Sequence, residues 1–253
     1  RRFTPEVLVS KKNGIHFWRV DDRVIANSNL GLNVPEDARD LTDVSARLAH
    51  MDALKIDIQV LYPTLFLRPV TARTEVELAL YRGYNRWLAH IWQLGKNRLR
   101  WIVLPPLRSM DKAIEEINFA KAHGACGVFM RGNEGEWLLS DPALLPIYQE
   151  AERLDLPICV HAGTGSFNYY DQYGQDVFSR FKLPSVGAFN NLIYQGVPAR
   201  FPKLRWSFVE STSQWLPYAV NDLVIRTQAE REFQRKYAGH VLTQARPKER
   251  TID

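Results

Sequence analysis

The sequence predicts a parallel α/β fold. Short, nearly continuous apolar runs rich in Val, Ile and aromatics alternate with longer stretches of helical periodicity from about residue 55 onward. No Gly-rich dinucleotide loop follows any of these runs, which argues against an open, nucleotide-binding sheet. The pattern by itself leaves barrel and open sheet both standing.

Five runs carry the strand signal. They are Ile56–Pro63, Arg100–Pro106, Gly127–Gly132, Leu156–Gly163 and Leu204–Ser211, each nearly continuously apolar and ending in Pro, Gly or Ser. Strands buried on both faces of a parallel sheet read this way. Between them, Val76, Leu80, Trp87, Leu88 and Ile91 recur at helical spacing. Ser109 is placed to cap a helix through Ala113, Ile114, Ile117 and Ala120, and His123-Gly124 is placed to stop it. Asp141-Pro142 pairs an N-cap with a first-turn proline and predicts a helix to Leu154. A last long helix is expected from Gln214 to about Arg235.

Two stretches break the rhythm. Residues 1–50 are polar and punctuated by Asn13-Gly14, Asn33 and Pro35, and are expected to form an inserted hairpin or arm before a helix around Asp43 to Leu54. Residues 164–184 hold Phe167, Tyr169, Tyr170, Tyr173, Phe178 and Phe181 without clear periodicity. A loop of about twenty residues in a compact domain is commonly a functional lid, and the aromatics favour that reading here. The whole of 1–253 is expected to be one domain.

Composition excludes several classes. The chain has 253 residues, 45% hydrophobic and 24% charged, which rules out a disordered or fibrous polymer. Its two cysteines, Cys126 and Cys159, exclude a disulfide framework and lie in apolar runs. No apolar run reaches membrane-spanning length, and the first residues show no signal-peptide core, so a cytoplasmic setting is expected. Without an initiator Met, the chain is expected to begin inside a longer gene product. The net charge of +5 gathers late, at Arg226, Arg231, Arg235, Lys236, Arg246, Lys248 and Arg250. A solvated helix face and terminus account for it better than nucleic-acid binding, since no nucleic-acid motif accompanies it.

Parallel α/β folds place their active sites at the C-terminal ends of the strands. The residues there are Tyr62, Pro105, Arg131, His161 and Glu210, with Arg68 just after the first run. A neutral His161 at that position suits a divalent metal or general-base work, and a buried histidine bonded to a neighbouring strand is the alternative. Glu210 is costly at a strand end unless it is paired, protonated or metal-bound. It is a candidate metal ligand or acid/base, or the partner of an arginine such as Arg131. Arg131 has the fork to clamp a substrate carboxylate, or it serves as a structural partner for Glu210 or a loop carbonyl. Tyr62 and Arg68 complete the candidate substrate contacts. No Gly-x-Ser-x-Gly, phosphate loop, His-Glu-x-x-His or His-x-His occurs.

Several segments together resemble the amidohydrolase-related family, in the branch that holds aminocarboxymuconate-semialdehyde decarboxylase and related aromatic-acid decarboxylases. They are Arg47-Leu-Ala-His-Met-Asp-Ala-Leu, Ile56-Asp-Ile-Gln-Val-Leu-Tyr-Pro, Tyr84-Asn-Arg-Trp-Leu, Leu156-Pro-Ile-Cys-Val-His and Arg200-Phe-Pro-Lys-Leu-Arg-Trp, and the likeness runs from about Leu41 to Leu223. The resemblance implies a metal-bearing TIM-type (β/α)8 barrel. It implies that His161 is the strand-five histidine ligand. Glu210 falls at the strand-six position, where better-known members carry histidine. The first-strand ligand motif and the last-strand aspartate have no counterpart here, so the barrel is expected to be incomplete, with its first and last strands missing.

The expected activity is metal-dependent hydrolysis or decarboxylation of a small organic acid, aromatic ones included, using zinc, manganese or iron. The alternative is a non-heme iron hydroxylase, dinuclear in one version, acting on a bulky apolar substrate. A non-catalytic binding relative is the third reading. By family analogy the partner is a small-molecule substrate within a homo-oligomer, without nucleic acid or membrane.

Overall fold

The computed structural model describes residues 5–12, 14–26 and 34–237. The arm is an antiparallel sheet of β1 (Glu6–Val9), β2 (His16–Val20) and β3 (Arg23–Ala26), paired in that order. Asp21-Asp22 makes the two-residue turn between β2 and β3, with Asp21 at φ +53°, a region aspartate tolerates better than most residues. Two helices follow, α1 (Glu36–Asp40) and α2 (Val44–Ala53). Asp43 caps α2: its Oδ1 accepts from the Ser45 and Ala46 amides at 2.7 and 3.2 Å.

Each of the five apolar runs holds or overlaps one strand of the main sheet, with β5 and β6 starting one and two residues before their runs. These are β4 (Gln59–Leu61), β5 (Leu99–Val103), β6 (Ala125–Arg131), β9 (Ile158–His161) and β10 (Trp206–Val209). Between β6 and β9 lies a small hairpin of β7 (Asn133–Glu134) and β8 (Trp137–Leu138). The five main strands are all parallel and lie in the order β10-β9-β6-β5-β4. That order follows the chain without reversal, whereas a doubly wound sheet reverses at a switch point. Among the described residues, β4 and β10 are the sheet's two edges.

The helices are α3 (Thr74–Leu94), α4 (Met110–Ala122), α5 (Leu145–Arg153), α6 (Phe167–Gln172), α7 (Leu183–Tyr194), α8 (Val197–Arg200) and α9 (Trp215–Tyr237). One face of the sheet meets them. Trp101, Val103, Val128, Met130, Ile158 and Val160 share a buried cluster with Leu88, Ile117, Ile147, Ala151 and Leu192. The other face carries Ile102, Leu104, Phe129 and Cys159, covered by Phe66, Val70, Tyr81 and Ile25 of the arm. Strand alternation therefore sends each strand's last residue to a definite side.

The helix signals hold with adjustments. Gly124 ends the α4 segment at φ +85°, and a Cβ there would stand 2.2 Å from the Trp92 ring. Ser109 occupies the N-cap position of α4, but its side chain makes no capping hydrogen bond. Asp141 does cap, accepting from the Ala143 amide at 2.9 Å, and the turn it opens is 3-10 before α5 begins. Trp87 is exposed, and the buried stripe of α3 instead includes the polar Asn85. The Asn85 amide exchanges two 3.0 Å hydrogen bonds with the Leu104 backbone and so ties α3 to the end of β5.

Residues 164–184 are not a structureless loop. Ser166 caps α6, its Oγ accepting from the Tyr169 amide at 3.2 Å, and a π-helical turn over Phe178–Lys182 runs directly into α7. Pro184, expected to end the loop, is the first-turn proline of α7. Arg226 of the basic stretch pairs with Asp222 at 2.7 Å, while Arg246, Lys248 and Arg250 lie outside the described residues. No helix among the described residues is long and apolar enough to cross a membrane.

Candidate active site

The ends of β6, β9 and β10 lie side by side, with His161 in register with Arg131 on one side and Val209 on the other. Val160 and Met130 face the helices, so alternation turns His161 and Arg131 to the opposite face. His161 is buried, with the Tyr62 ring at 5.4 Å and the Phe129 ring at 6.2 Å. Its Nδ1 lies 3.0 Å from the Ala162 carbonyl, a contact that assigns the proton to Nδ1. The Nε2 lone pair is then left facing Glu210 Oε2 at 3.8 Å. Ser185 at the start of α7 donates to the His161 carbonyl at 3.2 Å and steadies the strand end.

Burial lowers the His161 pKa. The Ala162 carbonyl and the Glu210 carboxylate pull upward, the Lys182 charge adds to the lowering, and the lowering wins. The imidazole is therefore neutral at pH 7, as a metal ligand or a base must be. Glu210 differs from it in nearly every respect. Its side chain is 61% exposed, and its backbone sits at φ +62°, which costs about 1–2 kcal/mol for a residue with a Cβ. Its carbonyl accepts from the Lys182 ammonium.

A gap of 3.8 Å is too long for a hydrogen bond. It is within the span of two ligands on one ion, each at about 2.0–2.2 Å. A neutral imidazole with its second nitrogen already bonded, beside an accessible carboxylate, is a donor pair that fits a divalent cation. Among the described residues no group of three or more His, Cys, Asp or Glu side chains gathers to hold a metal ion.

Arg131 has a different partner from the one expected. Its Nε lies 3.2 and 3.1 Å from the two Glu134 oxygens, its Nη2 also pairs with Glu134, and its Nη1 reaches the Arg68 and Phe66 carbonyls at 3.2 and 3.4 Å. Both side chains are buried. Burial opposes the guanidinium charge, but Glu134, Tyr81 and Glu77 outweigh it and hold the pKa above its ordinary value. The donors that a substrate carboxylate would need are thus engaged. The structural alternative holds for Arg131, with Glu134 and loop carbonyls in place of Glu210. Glu134 was legible only indirectly: an arginine ending a buried strand requires a carboxylate, and the nearest in sequence is three residues on.

Tyr62 follows β4 and packs against His161. Burial, with smaller contributions from Cys159 and Cys126, raises its phenol pKa far above the ordinary value, so it is a proton donor and not a base. Arg68 is half-buried, not free on the surface. Its Nη1 donates to the Tyr170 hydroxyl at 3.4 Å, a long contact. Helix α6 is latched to the arm: Arg23 grips Asp171 through two bonds of 3.0 and 2.7 Å and stacks 4.2 Å from the Phe167 ring. A cavity of about 120 Å³ at the same end of the sheet is lined by Glu77, Tyr81, Arg131 and Glu134 but by neither His161 nor Glu210.

The chain matches a family model described as Amidohydrolase over residues 14–222. It is 26% identical, over 177 residues, to the 2-amino-3-carboxymuconate-6-semialdehyde decarboxylase of Dictyostelium discoideum, covering 66% of this chain and 47% of that protein. It therefore spans about half the length of the curated relative it matches. Among solved structures it is similar to a 5-carboxyvanillate decarboxylase of Novosphingobium aromaticivorans complexed with manganese and 4-hydroxy-3-methoxy-5-nitrobenzoic acid. That likeness has a TM-score of 0.65 at 22% identity and covers 76% of this chain and 56% of that one. An amidohydrolase of Mycobacterium avium subsp. paratuberculosis gives a TM-score of 0.66 at 21% identity, over 94% and 73% of the two chains. These likenesses put the parallel sheet in the TIM-type barrel class that the resemblance implied.

Proposed function

This chain belongs to the amidohydrolase family, and from that premise we propose that it carries the active-site face of a metal-dependent decarboxylase acting on small aromatic acids. Hydrolysis of a small organic acid derivative on the same site is the alternative chemistry. The observation that carries the reading is the pair of His161 Nε2 and Glu210 Oε2, 3.8 Å apart at the ends of adjacent parallel strands. The likeness to decarboxylases of carboxylated aromatic or muconate compounds favours decarboxylation. Nothing in the comparisons favours iron-dependent hydroxylation, and that alternative is not carried forward.

His161 and Glu210 would hold a divalent cation, zinc or manganese, together with further ligands, and such an ion supplies Lewis-acid polarisation of the substrate when bound. The remaining work falls to the chain itself. Decarboxylation breaks a carbon–carbon bond, releases CO2 and places a proton on the carbon left behind. Glu210 reaches solvent and can relay that proton from water. Tyr62 stays protonated and can donate to an oxygen of the bound acid. Arg131 acts at one remove, by fixing the Phe66 and Arg68 carbonyls and so the loop that carries Arg68. In this reading 1–253 is one domain, with 1–50 an arm and 164–184 the active-site lid that excludes water. β4 and β10 pair with further barrel strands.

The test is CO2 release from a panel of hydroxybenzoic acids by the full-length protein reconstituted with zinc or manganese. Turnover that falls at least 10²-fold in His161→Ala is expected, in line with the loss of a metal ligand or base. Glu210→Gln separates its two roles: lost metal marks a ligand, and retained metal with slow turnover marks a proton carrier. No CO2 from any acid, with no metal taken up, would contradict the proposal.

A further inference from the structure

We propose that Arg68 and Arg180 form a carboxylate-binding cleft across Tyr170, which takes an acidic group of the substrate remote from the reacting carbon. The inference rests on the decarboxylase reading for its substrate class and on separate residues for its geometry. Arg68 belongs to the loop after β4, and Arg180 to the π-helical turn before α7. Tyr170 brings them together. Its hydroxyl accepts the long 3.4 Å contact from Arg68 Nη1, and the Arg180 guanidinium lies 4.3 Å from its ring centroid.

The Nε atoms of both arginines are buried and have no hydrogen-bond partner. Among the described residues neither guanidinium has an ion-pair partner, although Arg180 Nη1 donates to the Gly174 carbonyl, whereas their neighbours Arg23 and Arg131 are paired with Asp171 and Glu134. An unmade hydrogen bond from a buried charged group is costly, and two at one place are a combined demand for an acceptor. A carboxylate meets it, because the guanidinium offers Nε and one Nη as a parallel pair of donors. A cation is excluded by charge, and a neutral group would satisfy the hydrogen bonds but not the two positive charges.

Backbone contacts place the cleft at the His161 end of the sheet. The Gly163 amide, two residues beyond His161, donates to the Phe181 carbonyl at 2.9 Å. Gly163 itself sits at φ +148°, where a Cβ would stand 2.4 Å from the Leu67 carbonyl. The residues adjoining Arg180 and Arg68 thus close on Gly163 together. Lys182, held by the Glu210 carbonyl, adds a third positive charge along the same edge. This arrangement predicts a preference for aromatic diacids over monoacids.

The experiment is isothermal titration of the manganese-reconstituted full-length protein, in which the metal takes the first carboxylate, with isophthalate, benzoate and phenyl phosphate. Isophthalate is expected to bind more tightly than benzoate. Arg68→Gln and Arg180→Gln should each weaken isophthalate by about ten-fold or more, the worth of a charge-assisted hydrogen bond, and leave benzoate nearly unchanged. Arg180→Lys, which keeps the charge and loses the fork, should fall between, and serves if Arg68→Gln does not fold. Equal binding of isophthalate by wild type and both variants would overturn the proposal, and so would phenyl phosphate binding ten-fold tighter than isophthalate. Arginine-dependent binding without CO2 release would sink the decarboxylase reading and keep the cleft. CO2 release with arginine-independent binding would do the reverse.

Discussion

The ends of β6 and β9 are neighbours in register, and each presents a buried titratable side chain to the same face, yet one is closed and the other open. At β6, Arg131 meets Glu134 and two carbonyls, and both charged groups are under 10% exposed. At β9, His161 keeps a bare Nε2 opposite a carboxylate that is 61% exposed and 3.8 Å away. A charge at a strand end therefore does not by itself mark chemistry. What separates the two ends is whether the local fold has already used the group's bonding capacity. The β6 hairpin supplies a carboxylate to Arg131, while β10 turns at two left-handed residues, Glu210 and Thr212, and leaves its carboxylate reaching outward.

That contrast can be broken most forcefully at the closed end. Glu134→Gln strands the Arg131 charge in the interior and is expected to cost about 3–5 kcal/mol of stability. Glu210→Gln, at an exposed side chain, should change stability by no more than about 0.5 kcal/mol. Urea unfolding of the two variants side by side checks this, and similar midpoints would erase the distinction drawn between the two ends. The next effect in size is at the residue joining the open end to its cover. Gly163→Ala forces a Cβ toward the Leu67 carbonyl at a backbone angle reserved for glycine, with an expected loss of at least ~1–3 kcal/mol. It should also raise KM through displacement of the Arg68 loop, and a variant with wild-type melting and KM would count against that coupling.

The smallest effects belong to the Arg23–Asp171 latch between the arm and α6. Arg23 and Asp171 are both substantially exposed, so Arg23→Ala should cost no more than about 1 kcal/mol. Its readout is local: faster amide exchange in α6, with the β6 and β9 amides unchanged. The latch is also pH-dependent in a defined direction. The Arg23 hydrogen bond holds the Asp171 carboxyl below its ordinary range, against a smaller opposing effect of burial. A carboxyl depressed in the folded state stabilises above its unfolded pKa, about 3.9, and loses that contribution as the pH falls through its folded value. Protection of α6 should therefore persist through pH 5 and be lost on acidification below about 4. Loss at neutral pH would show that something other than this pair holds α6.

Much of the fold was legible because it is written in local patterns. Five apolar runs gave five parallel strands, and Asp141-Pro142, His123-Gly124 and Asp43 marked real helix ends. Residues 164–184 show no clean period because their helices are short and aromatic on several sides, although Ser166 and Pro184 carry the capping and first-turn signals. In the site, His161 and Glu210 could be named from their strand-end positions, since parallel pairing alone brings them together. The engagement of Arg131 by Glu134 depends on a hairpin that reverses the chain over a few residues. Arg180 and Lys182 reach the site only because a π-helical turn folds back over Gly163, a tertiary contact that no spacing in the sequence announces.

The account turns on the open end of β9 being a metal site that His161 and Glu210 share. Its most direct test is the metal content of full-length protein purified without added metal, measured by mass spectrometry for wild type, His161→Ala and Glu134→Gln. A divalent metal is expected in wild type, its loss together with a lower melting temperature in His161→Ala, and its retention in whatever Glu134→Gln remains folded. Metal retained in full by His161→Ala would contradict it.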